Sequence, residues 1–185
     1  MKTFTQRWTL FSVSILLLSA AWVWGSAAPP GTTTGGLIPA PRPGFLAPDF
    51  RLDTLEGETV SLADFSGRPV LVNLWASWCS PCRAEMPAMQ RIYEDYKDHG
   101  LAILAVNASD QDSLPSAQAF VESLGLTFPI LFDRGGEVST AYELRALPTS
   151  FFIDGEGIIR EVVVGGPMSE ALLHIRVQQL FEEGD

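Results

Sequence analysis

Val70-Leu71-Val72-Asn73-Leu74-Trp75 holds one polar side chain in six residues, and this run constrains the fold more than any other stretch of the chain. A strand with one face in water alternates apolar and polar residues, so a nearly continuous apolar run reads as a strand covered on both faces. A second such run spans Leu101 to Val106. Between the two, residues 80–97 place Met86, Met89, Ile92, Tyr93 and Tyr96 at helical spacing, with Gly100 just past the end as a stop.

The rest of the body continues the alternation. Phe50 to Asp53 and Glu58 to Leu62 flank the turn signal Glu56-Gly57 and predict a short hairpin. Ser113 with Pro115 opens a helix over Ala117 to Leu124 that Gly125 closes; Pro129 to Phe132 is a third apolar run, followed by a short helix over Val138 to Leu144. Thr149 to Ile153 and Ile158 to Val164 surround Asp154-Gly155-Glu156-Gly157, a hairpin connection, and Met168 to Phe181 closes as an amphipathic helix. After the N-terminal hairpin the order is βαβαβαββα. This is an α/β fold with helices on both faces of a mixed sheet, without an internal repeat or a glycine-rich phosphate loop.

Ahead of this body the composition changes twice. Residues 1–28 carry Lys2 and Arg7 and then an uninterrupted apolar stretch, and residues 8–28 as a helix span about 30 Å, the thickness of a bilayer core. Trp8 lies at one end and Trp22 and Trp24 at the other, where amphipathic rings favour the headgroup level. The expectation is a retained membrane anchor with its positive flank in the cytoplasm. A signal peptide cleaved after Ser26-Ala27-Ala28 is the competing reading, disfavoured by Pro29 directly after that site. Residues 29–48 hold prolines at 29, 30, 39, 41, 43 and 48 with glycines among them, and predict an extended tether. The catalytic domain is expected over residues 49–185, which can bury about two-thirds of its unfolded surface. All 22 acidic residues lie at or after Asp49, against at most ten of the 12 basic ones. So acidic a body, with scattered Lys and Arg, excludes nucleic acid as a partner.

The chain has two cysteines, Cys79 and Cys82, separated by Ser80-Pro81. They follow the first apolar run and open the first helix. Pro81 is pre-set for a first helical turn, so Cys79 falls at or next to the N-cap, where free backbone N–H groups and the helix dipole favour an anion. A thiolate is that anion, and stabilising it makes Cys79 the nucleophile of disulfide exchange. Cys82, one turn further in, is the resolving partner. A structural disulfide closing so short a loop removes little chain entropy. A zinc site lacks two further ligands, because His99 and His174 are not spaced as a ligand pair. No metal and no cofactor is therefore expected. Glu85 lies at i+3 from Cys82, on the same helix face, with no Lys or Arg at i+3 or i+4 to explain it as a surface ion pair. Trp75 reads as core, and Trp78 as an exposed apolar contact beside the nucleophile.

The stretch Val72 to Pro87, with Trp78-Cys79-Ser80-Pro81-Cys82 at its centre, resembles the active-site segment of the TlpA/ResA/DsbE group of membrane-anchored, thioredoxin-like oxidoreductases, within the wider redoxin or AhpC/TSA-like superfamily. Ala47-Pro48-Asp49-Phe50, Asp64-Phe65-Ser66-Gly67-Arg68, the helix near residues 114–124 and Leu147-Pro148-Thr149 are similar to that group as well. Together they cover residues 47–181. The resemblance implies a thioredoxin fold with an N-terminal β-hairpin extension and a central helical insertion. It implies that Pro148 is a cis-proline facing the cysteines, with the Leu147 backbone offering strand-like hydrogen bonds to a substrate chain. Ordinary thioredoxin carries a buried aspartate where this chain has Asn73. An amide cannot shuttle a proton, which leaves Glu85 as the candidate acid/base for Cys82.

The function expected from these residues is an extracytoplasmic thiol:disulfide oxidoreductase. By resemblance it is a reductase of client protein disulfides, recharged by a membrane electron donor, for example in cytochrome c maturation. Two other classes compete: a thiol peroxidase of the peroxiredoxin type, whose Pro/Thr motif Trp78-Cys79-Ser80-Pro81-Cys82 does not resemble, and a module delivering Cu(I) through Cys79 and Cys82.

Overall fold

The computed structural model describes residues 38–182. The expected membrane segment and residues 29–37 of the tether lie outside the described residues. Among the described residues, no helix is long and apolar enough to cross a membrane.

In chain order the elements are β1 (Arg51–Thr54), β2 (Thr59–Ser61), β3 (Val70–Trp75), α1 (Ser80–Tyr96), β4 (Ala102–Asn107), α2 (Leu114–Leu124), β5 (Ile130–Phe132), α3 (Glu137–Ala141), β6 (Thr149–Ile153), β7 (Ile159–Val164) and α4 (Glu170–Glu182). One seven-stranded sheet takes the order β2-β1-β5-β4-β3-β6-β7. Every residue of β3 and β4 is buried, and the two strands pair in parallel from Val70 opposite Ala102 to Trp75 opposite Asn107. The outer strands run antiparallel to their neighbours: β6 against β3, β7 against β6, and β1 against both β5 and β2.

Alternation along β3 divides the core into two layers. Leu71 and Trp75 point to one face, where they join Met86, Met89 and Ile92 of α1, Phe120 of α2, and Leu173 and Val177 of α4. Val70, Val72 and Leu74 point to the other, with Phe50, Val138 and Tyr142. Asn73 shares the parity of Leu71 and Trp75, so its amide enters the layer under α1. This is the only polar position of β3, and it lies directly beneath the helix that carries the cysteines.

Most element ends fall within two residues of expectation, and two differ by three. The second helix begins at Leu114, before the expected Ala117, because the Ser113 side chain accepts a hydrogen bond from the Ser116 N–H and Pro115 occupies the first turn. The third stops at Ala141, short of Leu144, and Glu143 then takes a left-handed φ of 48°.

The expected start of the domain at Asp49 meets a chain already tied to the body. The Gly44 N–H donates to the Ile159 carbonyl at 2.8 Å, the Ile159 N–H to Phe45 at 2.9 Å, and the Ala47 N–H to Gly157 at 2.9 Å. Tyr142 Oη donates to the Pro48 carbonyl at 2.7 Å. The proline-rich composition limits regular structure here but does not prevent these residues from lying along the first part of β7.

Candidate active site

The connection from β3 to α1 is short, and it ends with Cys79 as the N-cap of α1 and Pro81 in the first turn. The two cysteines are joined in a disulfide with Cα atoms 5.3 Å apart. Cys79 Sγ accepts the Cys82 backbone N–H at 3.2 Å, so the sulfur occupies the place an N-cap oxygen takes in other helices. That N–H and the positive end of the helix are what would hold a Cys79 thiolate once the bond is reduced. Cys82 is fully buried, and Cys79 retains 4% exposure. Of the pair, only Cys79 can be reached from outside.

One turn further in, the Glu85 carboxylate is buried with 0% exposure. Its Oε1 accepts from Asn73 Nδ2 at 3.0 Å and its Oε2 from the Met168 backbone N–H at 3.1 Å. Burial is the largest influence on this carboxyl and raises its pKa above the ordinary value of 4.5, while the hydrogen bonds from Met168 and Asn73 partly offset the rise. Among the described residues, no ion pair is formed with this carboxylate. A carboxyl shifted in this direction takes up a proton at a higher pH than an ordinary carboxylate does.

The Leu147–Pro148 peptide bond is cis, as the resemblance implies. Pro148 is buried, Leu147 is half-buried, and the Pro148 carbonyl accepts the Gly165 N–H at 2.7 Å. Glu85 and Pro148 meet at Gly166. A methyl group placed there would lie 2.8 Å from Glu85 Oε2 and 2.9 Å from Pro148 Cγ. The run Gly165-Gly166-Pro167-Met168, with a second cis bond at Gly166–Pro167, therefore packs between the acid and the proline. Nothing in the sequence distinguishes it from an ordinary strand-to-helix connector.

Trp78 is 59% exposed and belongs to a different network. Its Nε1 donates to the Gln111 carbonyl at 2.9 Å. The neighbouring Asp112 carboxylate accepts from the Ser77 N–H at 2.6 Å, Ser77 Oγ at 2.7 Å, Asn107 Nδ2 at 2.9 Å and the Ser113 N–H at 2.8 Å. Burial pushes the Asp112 carboxyl up, but these hydrogen bonds together outweigh it and hold it below its ordinary range. Asp112 thus clamps the loop that delivers Cys79. Sequence reading passes over it, because an Asp before a Ser-initiated helix looks like routine capping.

A parallel core flanked by antiparallel strands, with a redox-active pair capping the helix that follows the first core strand, defines the class: a thioredoxin-fold thiol:disulfide oxidoreductase. The AhpC/TSA family model matches residues 43–162, and the chain belongs to that family. It is 46% identical over 123 residues to the thioredoxin-like protein YneN of Bacillus subtilis, covering 66% of this chain and 71% of that one. To the thiol-disulfide oxidoreductase ResA of Geobacillus kaustophilus it is 43% identical over 122 residues, covering 66% and 69%. Among solved structures, a thioredoxin-family thiol:disulfide interchange protein from Chlorobium tepidum superposes with a TM-score of 0.68 at 29% identity, covering 75% of this chain and 97% of that one. StoA from Bacillus subtilis superposes at 0.63 with 30% identity, covering 70% and 96%.

Proposed function

We propose that the protein reduces disulfides in client proteins on the outer side of the cytoplasmic membrane, with residues 8–28 as its anchor. The observation that carries this reading is the asymmetry of the pair: Cys79 caps α1 with some exposure, while Cys82 and Glu85 are fully buried behind it. In the reduced protein the Cys79 thiolate attacks a client disulfide, forming a Cys79–client disulfide and releasing one client thiolate. Cys82 gives its proton to Glu85, and its thiolate attacks the Cys79 sulfur. The Cys79–Cys82 disulfide forms, the second client thiolate leaves, and the proton on Glu85 passes to it. Two electrons have moved to the client, and a membrane donor returns them. Trp78 supplies an apolar surface for the client, and the Leu147 backbone beside Pro148 supplies strand-like hydrogen bonds. Clients of cytochrome c maturation fit this chemistry, since they present cysteine pairs that must be reduced.

Replacing Cys82 with Ala should trap clients on Cys79, and they can be identified from cells. Titration of the wild-type pair against glutathione should give a potential on the reducing side, close to thioredoxin's value of about −270 mV. A value near −120 mV, that of a strong oxidant, would reverse the assigned direction. Peroxide turnover far above that of a simple dithiol would replace the reading with a thiol peroxidase.

A further inference from the structure

The Asn73 carboxamide is buried, and its bonding is lopsided. Nδ2 donates twice, to Glu85 Oε1 at 3.0 Å and to Ser150 Oγ at 2.9 Å, while Oδ1 is buried without a hydrogen-bond partner. A buried acceptor left unpaired is costly and calls for a reason. Turning the amide over would let the Ser150 hydroxyl donate to Oδ1, but it would also set Oδ1 against the Glu85 carboxylate oxygen, acceptor against acceptor. In the orientation observed, Asn73 offers Glu85 a donor and not an acceptor.

We propose that Asn73 is the positioning residue of the proton-transfer step, holding Glu85 ionised and aimed until it receives the Cys82 proton. This rests on the acid/base reading of Glu85. A hydrogen bond to a charged acceptor is about twice as strong as one to a neutral group, so the Asn73 N–H favours the carboxylate over the carboxyl. Asparagine does this without adding charge: an aspartate at the same place would face Glu85 with a second carboxylate and drive one of the two to stay protonated. Few other charges intervene. Neither β3 nor β6 carries a charged residue. On α1, Arg83 is turned away over the Phe120 ring, 4.3 Å from its centroid. From α4, Arg176 reaches the Met168 sulfur at 3.3 Å and pairs with Glu161 of β7 at 2.7 Å. Cys82 lies one turn before Glu85 on the same helix.

The test uses the full-length reduced protein as wild type, Asn73→Leu, Asn73→Asp and Glu85→Gln. Two quantities are followed against pH: the 13C resonance of the Glu85 carboxyl, identified by its absence in Glu85→Gln, and the rate of client disulfide reduction. Asn73→Leu should move the carboxyl midpoint upward by about one pH unit, the worth of one charge-assisted hydrogen bond, and the acid limb of the rate should follow. Asn73→Asp, nearly isosteric and so the safer variant for folding, should move both further. Asn73→Leu should not alter the rate profile when added to Glu85→Gln. A folded variant with a lower melting temperature but an unmoved midpoint would reduce Asn73 to scaffold and overturn the inference. A midpoint that moves while the rate limb stays would instead overturn the acid/base reading of Glu85.

Discussion

Gly166 is the residue on which the acid and the proline converge, and its missing side chain is a packing requirement. A methyl group there would approach Glu85 Oε2 to 2.8 Å and Pro148 Cγ to 2.9 Å, and neither neighbour can retreat from the buried layer. Gly166→Ala should therefore destabilise the domain by about 1–3 kcal/mol, as overpacking does, and slow client reduction because it displaces Glu85. Thermal melting and rate measurements on the one variant check both. Glu85 makes a second prediction at this scale. Its carboxyl holds a proton in the folded state above the 4.5 at which the unfolded chain releases it. From that pH up to its raised native value the folded state binds more protons, so stability falls as pH rises through this window. Glu85→Gln removes the effect. Urea unfolding should show the variant gaining on the wild type between acid and neutral pH, and a constant difference would contradict the buried-acid account.

At the scale of elements, the nucleophile's loop depends on a neighbour in the β4–α2 connection. Asp112 takes up the Ser77 N–H and hydroxyl, and Gln111 takes the Trp78 indole N–H. Asp112→Ala leaves the Ser77 N–H and the Asn107 amide without this acceptor, at a cost of about 1–3 kcal/mol. It should also broaden the Trp78 environment. Reduction rates should drop while Cys79 remains alkylatable, and Trp78 fluorescence, read in a Trp75→Phe protein lacking residues 1–37 and with them Trp8, Trp22 and Trp24, should shift toward that of a solvated indole. The β7–α4 connection is the matching clamp on the other side, with its Met168 N–H on Glu85. The two loops divide the work: one fixes the outward sulfur and the other fixes the inward acid.

For the whole molecule, residues 39–48 belong to the fold. They lie along Gly157 to Ile159, and Pro48 receives the hydroxyl of the buried Tyr142, whose pKa burial drives well above its ordinary value. Tyr142→Phe removes this hydrogen bond and should cost about 1 kcal/mol. Deleting residues 1–48 should give a melting temperature several degrees below that of the protein lacking only residues 1–37, because residues 39–48 are hydrogen-bonded to the body. Differential scanning calorimetry on the three proteins separates these outcomes.

The apolar runs at β3 and β4, the helical spacing of α1 and the Cys79-Ser80-Pro81-Cys82 motif at its start were determined by the sequence alone. Each is local: periodicity reports how many faces are buried, and Pro81 with a small polar group sets a helix start. Trp75 and Trp78 were separable for the same reason, one within a continuous apolar run and one at its exposed end. Strand order, the joining of β1 to β5, the approach of Asn73, Gly166 and Met168 to Glu85, and that of Ser150 to Asn73 were decided only in three dimensions. These contacts join residues as far as 83 positions apart. A glycine needed for space, an asparagine needed for its donor and an aspartate used as a clamp look the same in the chain as any others. Their roles come from what the fold places within hydrogen-bonding distance, a property of the packed layers that no local pattern carries.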